Sequence, residues 1–210
     1  MKISASILDA KNRVLAVQKL NNTDVSSIHI DVMDGKMVDN IQFQDKSEIQ
    51  KISEVSIKPL QIHLMVEDVL FFVEQFIELD VEMIIFHLET SQDILKIIDK
   101  IHSVGIGVGI AICPDTDMRK VIPYLDKIEM VLFMSVVPGK GGQPFILETE
   151  NKINWLKNYI DEKKQSVMIG VDGGINDHTI SYVQRADVAI SGSYIIQSNN
   201  YQQSIYQLLK

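Results

Sequence analysis

At 210 residues the chain suits one domain and is tight for two, and it can bury a core that needs neither a metal nor a disulfide to hold it. Apolar residues make up 46% and charged ones 23%, as in ordinary globular proteins, and no apolar run approaches the roughly 18 residues of a membrane span. A formal net charge of -8 with no basic cluster argues against nucleic acid and membrane as partners, so an anionic ligand would have to be met locally, by backbone N–H groups at helix starts.

Short β-branched or apolar runs alternate along the chain with polar stretches of helical period. Strands are predicted over Ile3–Leu8, Ser27–Met33, Pro59–Met65, Met83–Leu88, Gly107–Cys113, Met130–Val136, Val167–Asp172 and Val188–Gly192. Helices are predicted between and after them, among them Val69–Leu79, Asp93–Ser103, Glu148–Glu162, Asp177–Arg185 and Tyr201–Leu208. Alternation of this kind predicts an α/β fold with a parallel sheet. Eight such units in about 200 residues predict a closed (β/α)8 TIM barrel, a single catalytic domain over residues 1–210. A doubly wound open sheet is the alternative and would usually need fewer strands. In a closed barrel, polar residues at the C-terminal ends of the strands are read as chemistry first.

The run Ser27-Ile28-His29-Ile30-Asp31-Val32-Met33 alternates faces. Ile28, Ile30 and Val32 suit packing under helices, while His29, Asp31 and Met33 point into the barrel. A histidine and a carboxylate two residues apart on an inward face have metal-ligand spacing, and a buried hydrogen-bonded pair is the competing reading. The next strand carries His63 and Met65 inward in the same way. Asp172 ends the seventh strand before Gly173-Gly174, where the missing side chains let a ligand approach the backbone, although Asp-Gly-Gly is also a plain turn signal. The loops after the seventh and eighth strands, the latter with Gly192 and Ser193, are the usual phosphate site of such a barrel. His29, Asp31, His63 and Asp172 thus form a two-histidine, two-carboxylate set suited to one divalent ion of Zn, Fe, Mn or Co. The two carboxylates come from strands well apart around the ring and could approach a flat intermediate from opposite faces, as an epimerisation requires.

The ordered motifs His29-Ile30-Asp31-Val32-Met33-Asp34-Gly35, His63-Leu64-Met65-Val66, Met134-Ser135-Val136-Val137-Pro138-Gly139-Lys140-Gly141-Gly142-Gln143 and Val171-Asp172-Gly173-Gly174-Ile175 resemble those of the ribulose-phosphate 3-epimerases. Ser6-Ile7-Leu8, Phe86-His87-Leu88-Glu89 and Gly192-Ser193 fit the same pattern, so the resemblance spans the chain. It implies epimerisation at C3 of a ketopentose 5-phosphate, D-ribulose 5-phosphate to D-xylulose 5-phosphate. It also implies metal ligation by His29, Asp31, His63 and Asp172, and acid/base roles for Asp31 and Asp172. Substrate contacts are implied for Ser6, His63, Gly139, Lys140, Gly141, Gly142, Asp172, Gly173, Gly174, Gly192 and Ser193, with Met33, Met65 and Met134 lining the intermediate. The chain departs from the family at Ala5, at Met37-Val38-Asp39-Asn40, at Cys113-Pro114 and at Lys140, where the family carries Pro, an aromatic and Pro, Asn-Pro and an aromatic respectively. These departures bear on sugar preference and loop behaviour, and allulose 6-phosphate or a related hexulose phosphate is the alternative substrate. A non-catalytic sugar-phosphate-binding barrel is a further alternative. A decarboxylase of the orotidine-monophosphate type is disfavoured, because no lysine follows Asp31 at the required spacing.

Other residues have plainer readings. Cys113 has no evident basic partner and reads as a small pocket or core residue. His87 and Glu89 read as a supporting hydrogen-bonded group or barrel filling. His102 and His178 are expected on helices facing solvent, Trp155 packing its helix onto the barrel, and Asp161-Glu162-Lys163-Lys164 at a helix end. One cysteine, and a start that runs from Met1-Lys2 into a strand with no signal-peptide block, predict a cytoplasmic protein. The partner is a small sugar phosphate, and a homo-oligomer is left open.

Overall fold

The computed structural model describes residues 1–210. In chain order the elements are β1 (Lys2–Ser6), α1 (Arg13–Leu20), β2 (Ser27–Asp34), β3 (Ile41–Gln42), α2 (Lys46–Val55), β4 (Leu60–Met65), α3 (Val69–Phe76), β5 (Met83–His87), α4 (Ile94–His102), β6 (Gly107–Ile112), β7 (Met130–Met134), α5 (Thr149–Lys163), β8 (Met168–Asp172), β9 (Val188–Ser191), α6 (Ser193–Ile196) and α7 (Tyr201–Leu209). Pairing runs β1-β9-β8-β7-β6-β5-β4-β2 and closes where β1 also pairs with β2, all parallel. This is the eight-stranded TIM barrel that the alternation predicts. The β3 ribbon, which the alternation does not reveal, adds antiparallel to the end of β2, pairing Met33 with Gln42.

Two apolar layers hold the barrel. The larger lies between strands and helices and includes Ile28, Ile30 and Val32 from the outward face of β2. The smaller fills one side of the barrel itself, with Met83, Ile85, Ala111, Met130, Leu132, Met134, Val188 and Ile190. Room for these large side chains comes from inward glycines: a Cβ on Gly109 would lie 2.8 Å from Ile85, and one on Gly170 would lie 2.9 Å from Leu132. The other side of the interior is polar. Ser4, Ser6, Ser27, His29, Asp31, Gln61, His63 and His87 are all buried on neighbouring strands β1, β2, β4 and β5. That asymmetry gathers most of the buried polar side chains on one wall and leaves the opposite wall mainly apolar.

Three expectations need correction. The segment Asp177–Arg185 is no α-helix; only a short 3-10 turn forms, over Ile180–Val183. Asn176 Oδ1 accepts the amides of His178 and Thr179, and the Thr179 hydroxyl donates to the Gly174 carbonyl, so side chains take the bonds a helix start would need. His178 therefore stands in a turn, exposed. Trp155 does not pack α5 onto the barrel. The buried stripe of that helix is Thr149, Ile153, Leu156 and Ile160, and Trp155 lies beside it, stacked on Tyr159 at 5.4 Å. Between β6 and β7 a 3-10 helix, Met118–Tyr124 with Pro123 inside it, stands where a full helix would cover the barrel. No helix is long and apolar enough to cross a membrane.

Candidate functional site

Parallel register brings the predicted ligands level. β2 and β4 pair Asp31 with His63, and β8 ends at Asp172 across the barrel mouth. His63 Nδ1 lies 3.1 Å from Asp31 Oδ1 and 3.7 Å from Asp172 Oδ2. His29 Nε2 lies 3.3 Å from Asp31 Oδ1, 3.8 Å from Asp172 Oδ2 and 3.3 Å from His63 Nδ1. One donor atom from each residue falls within 4.8 Å of all the others. The Ser6 hydroxyl donates to Asp31 Oδ2 at 2.7 Å, which turns the other carboxylate oxygen toward the imidazoles.

The charges explain why such a cluster would suit a cation. Burial drives the Asp172 carboxyl up, the Asp31 charge adds to this, and the group titrates at about 7. Burial also works against ionised Asp31, but His29 and His63 outweigh it and hold Asp31 well below the usual carboxylate range. Burial brings His63 down to about 4. For His29 burial opposes the cation, yet the carboxylates of Asp31 and Asp172 win and raise it. No lysine or arginine pairs with either aspartate; the nearest basic groups are the two imidazoles. Two imidazole nitrogens and two carboxylate oxygens, buried and short of positive charge, are a donor set that fits a divalent ion.

Above this cluster opens a cavity of about 170 Å³. Ser6, Asp31, Met33, Met65, Met134, Gly139, Lys140, Gly141, Gly142, Asp172, Gly173, Gly174, Gly192 and Ser193 all line it. His29 and His63 do not; both are fully buried beneath its floor. Gly173 could carry no side chain, since φ is +117° and a Cβ would lie 2.4 Å from Val136. Ser135 holds that turn by donating its hydroxyl to the carbonyls of Asp172 and Gly173, at 2.9 and 2.6 Å. Gln143 ties the loop after β7 to itself through the carbonyls of Val137 and Lys140, and Asn40 donates to the Gly139 carbonyl at 3.1 Å. Lys140 is exposed at the rim.

Sequence reasoning missed Asp9. It lines the cavity, and its carboxylate accepts the Ser193 hydroxyl at 2.5 Å and lies so near Gly141 that a Cβ there would be 2.5 Å from Oδ2. Nothing in a lone aspartate after a strand signals this. Cys113 also gains a neighbour the sequence does not show: its Sγ is 3.4 Å from His87 Nδ1. Burial, helped by the Glu89 charge, pushes its thiol up to about 12, so it is no ready nucleophile.

The model of the ribulose-phosphate 3-epimerase family matches residues 2–196. A ribulose-phosphate 3-epimerase of Helicobacter pylori is 37% identical over 95% of this chain and 93% of its own length, and one of Methanocaldococcus jannaschii is 35% identical over 99% and 89%. Among solved structures, a thiamine phosphate pyrophosphorylase from Pyrococcus furiosus superposes with a TM-score of 0.64 at 12% identity, covering 99% of this chain and 93% of that one, a likeness of fold alone. The match over nearly the whole length, on a closed barrel whose mouth gathers two histidines and two aspartates, shows that this chain belongs to the ribulose-phosphate 3-epimerase family and is an epimerase, an enzyme of the isomerase class, acting on a pentose phosphate.

Proposed function

We propose that the chain interconverts D-ribulose 5-phosphate and D-xylulose 5-phosphate by inverting C3, with Asp31 and Asp172 as the acid/base pair. One observation carries this reading. Two carboxylates, Asp31 buried and Asp172 half-buried, come from strands well apart around the ring and meet at one cavity with their pKa values pushed apart, Asp31 downward and Asp172 up to about 7. One aspartate removes the C3 proton from one face of the sugar, and the other delivers a proton to the opposite face. Which of them starts depends on the epimer bound.

His29, Asp31, His63 and Asp172 would hold one divalent ion of the Zn, Fe, Mn or Co type. Such an ion supplies Lewis acidity, so that negative charge developing on the oxygens next to C3 costs less. Ser6 keeps Asp31 oriented. The thioethers of Met33, Met65 and Met134 offer polarisable surface to a planar intermediate without bringing water. The phosphate would rest on backbone N–H groups of Gly173, Gly174, Gly192 and Ser193 beside the start of α6, with the Gly139–Gly142 loop closing over the sugar. Binding energy gained there positions the reacting carbon.

The test compares ribulose 5-phosphate with allulose 6-phosphate on metal-replete enzyme. Preferred turnover of the pentulose is expected, and preferred turnover of the hexulose would overturn the substrate assignment. In the same assay Asp172→Asn should lose about 10²–10⁴ in turnover, the usual range for a proton-transfer group. Near-normal turnover in that variant contradicts the two-aspartate reading.

A further inference from the structure

Three buried imidazoles stand in a row across adjacent strands: His29 on β2, His63 on β4 and His87 on β5. The row continues beyond the ion's candidate ligands. His63 Nε2 is 3.0 Å from His87 Nε2, and His87 Nδ1 is 3.2 Å from Glu89 Oε2. Glu89 Oε1 in turn accepts the Cys113 amide at 2.9 Å. We propose that Glu89 and His87 are positioning residues for the metal centre: acting through His87, Glu89 fixes which ring nitrogen of His63 carries the proton and leaves His63 Nδ1 bare toward Asp31 before any ion arrives. The inference rests on the reading that His63 Nδ1 is one of the ion's ligands.

Protons along the row are fixed from the Glu89 end. An ionised carboxylate only accepts, so the nitrogen of His87 that faces it, Nδ1, must carry the hydrogen. A neutral His87 then has its lone pair on Nε2. Across the 3.0 Å contact His63 must be the donor, through Nε2–H. A neutral His63 with its proton on Nε2 is bare at Nδ1, and that atom faces Asp31 Oδ1 at 3.1 Å and His29 Nε2 at 3.3 Å. A bare nitrogen beside a carboxylate oxygen is unfavourable with nothing between them and favourable around a cation. Reversed, with His63 donating from Nδ1 to Asp31, the row would suit the empty site better and would have to be undone for metal to bind. Glu89 therefore keeps the site ready at the expense of its metal-free state.

Glu89 is equipped for this. Burial works against its charge, but hydrogen bonds from His87, Thr116 and the Cys113 amide outweigh it and hold the carboxyl at about 2. The same placement of protons disposes of a rival reading. His87, Glu89 and Cys113 offer three donor atoms within 4.8 Å of one another, as a second metal site would. A proton on His87 Nδ1, donated to Glu89, closes that nitrogen to an ion. The trio is a brace for the first site.

The test records the histidine tautomers of the full-length chain by long-range ¹H–¹⁵N spectroscopy, metal-free and with added Zn²⁺, and measures zinc affinity by chelator competition. In the metal-free parent His63 should appear as the Nε2–H tautomer, with zinc moving the Nδ1 resonance. Glu89→Gln should weaken zinc binding by about 10–100-fold, the usual effect of losing such a partner. A glutamine cannot accept at both of its terminal atoms, so it fails either His87 or the Cys113 amide. His87→Gln, whose amide oxygen can still accept from His63, should retain more affinity than His87→Leu. An Nδ1–H tautomer of His63 in the metal-free parent overturns the proposal even if no variant folds, and so does a Glu89→Gln zinc affinity within about threefold of the parent. If zinc moves His63 Nδ1 while Glu89→Gln binds it normally, only the positioning role falls. If zinc leaves His63 Nδ1 unmoved, the ligand assignment falls with it.

Discussion

Asp9 sets a negative charge against the rim where a phosphate would rest, on the same Ser193 hydroxyl that a phosphate oxygen could use. Two charges of one sign a few ångströms apart near a surface repel by roughly 1 kcal/mol or more. Asp9→Asn is therefore expected to lower the Michaelis constant for the sugar phosphate by about 3–10-fold with little change in turnover; an unchanged or raised constant would show that the carboxylate helps to hold the site. Lys140 opposes Asp9 in sign from the loop after β7, exposed where the related enzymes are expected to carry an aromatic. Its tip can reach toward a phosphate but cannot cap the cavity by packing. Lys140→Ala should raise the Michaelis constant and weaken its salt dependence, because exposed charges are screened by added salt. If neither quantity moves, the side chain simply points into solvent. At this scale the sequence was partly legible. Alternation along β2 placed His29, Asp31 and Met33 inward from spacing alone. Asp9 was not legible, because only the folded chain brings it to Ser193, 184 positions away.

The ends of the strands carry the chemistry, and one of them makes a prediction of its own. Glu89 stands two residues past the end of β5, and its carboxyl is held at about 2, against an ordinary value of 4.5, by the bonds that outweigh its burial. A carboxylate lowered in the folded state contributes stability above its unfolded pKa and loses it as pH falls toward the folded one. The gap in stability between the parent and Glu89→Gln should thus shift toward the variant as pH falls between about 4.5 and 2, by a small amount because solvent screens this exposed group. Thermal unfolding of metal-free protein across that range checks it; a gap independent of pH would mean that Glu89 acts through packing alone. Legibility also varied by element. Strand cores could be read because their faces alternate, and α4 and α7 because Asp93 and Asn200 cap their first turns. The segment after Asn176 could not, since its polar side chains turn back on the backbone. The row His29–His63–His87 was hidden for another reason: it runs across strands, and only the register reveals it.

At the scale of the whole molecule, metal and fold are separate questions. The layer between strands and helices and the apolar wall inside the barrel are built without the ligand cluster. A chain of this length buries enough surface to fold alone. Chelation should therefore abolish turnover and leave the circular dichroism and a cooperative thermal transition in place; global unfolding on chelation would contradict this. The central claim is that two aspartates work on opposite faces of one carbon. It is tested most directly by incubating each epimer with zinc-saturated Asp31→Asn and Asp172→Asn enzyme in D2O and measuring deuterium at C3. Each variant keeps one proton-transfer group, so each should exchange the C3 hydrogen of only one epimer, a different one for each variant, while net epimerisation falls by about 10²–10⁴. Exchange into both epimers by a single variant, or epimerisation at near-normal rates by either, would contradict it.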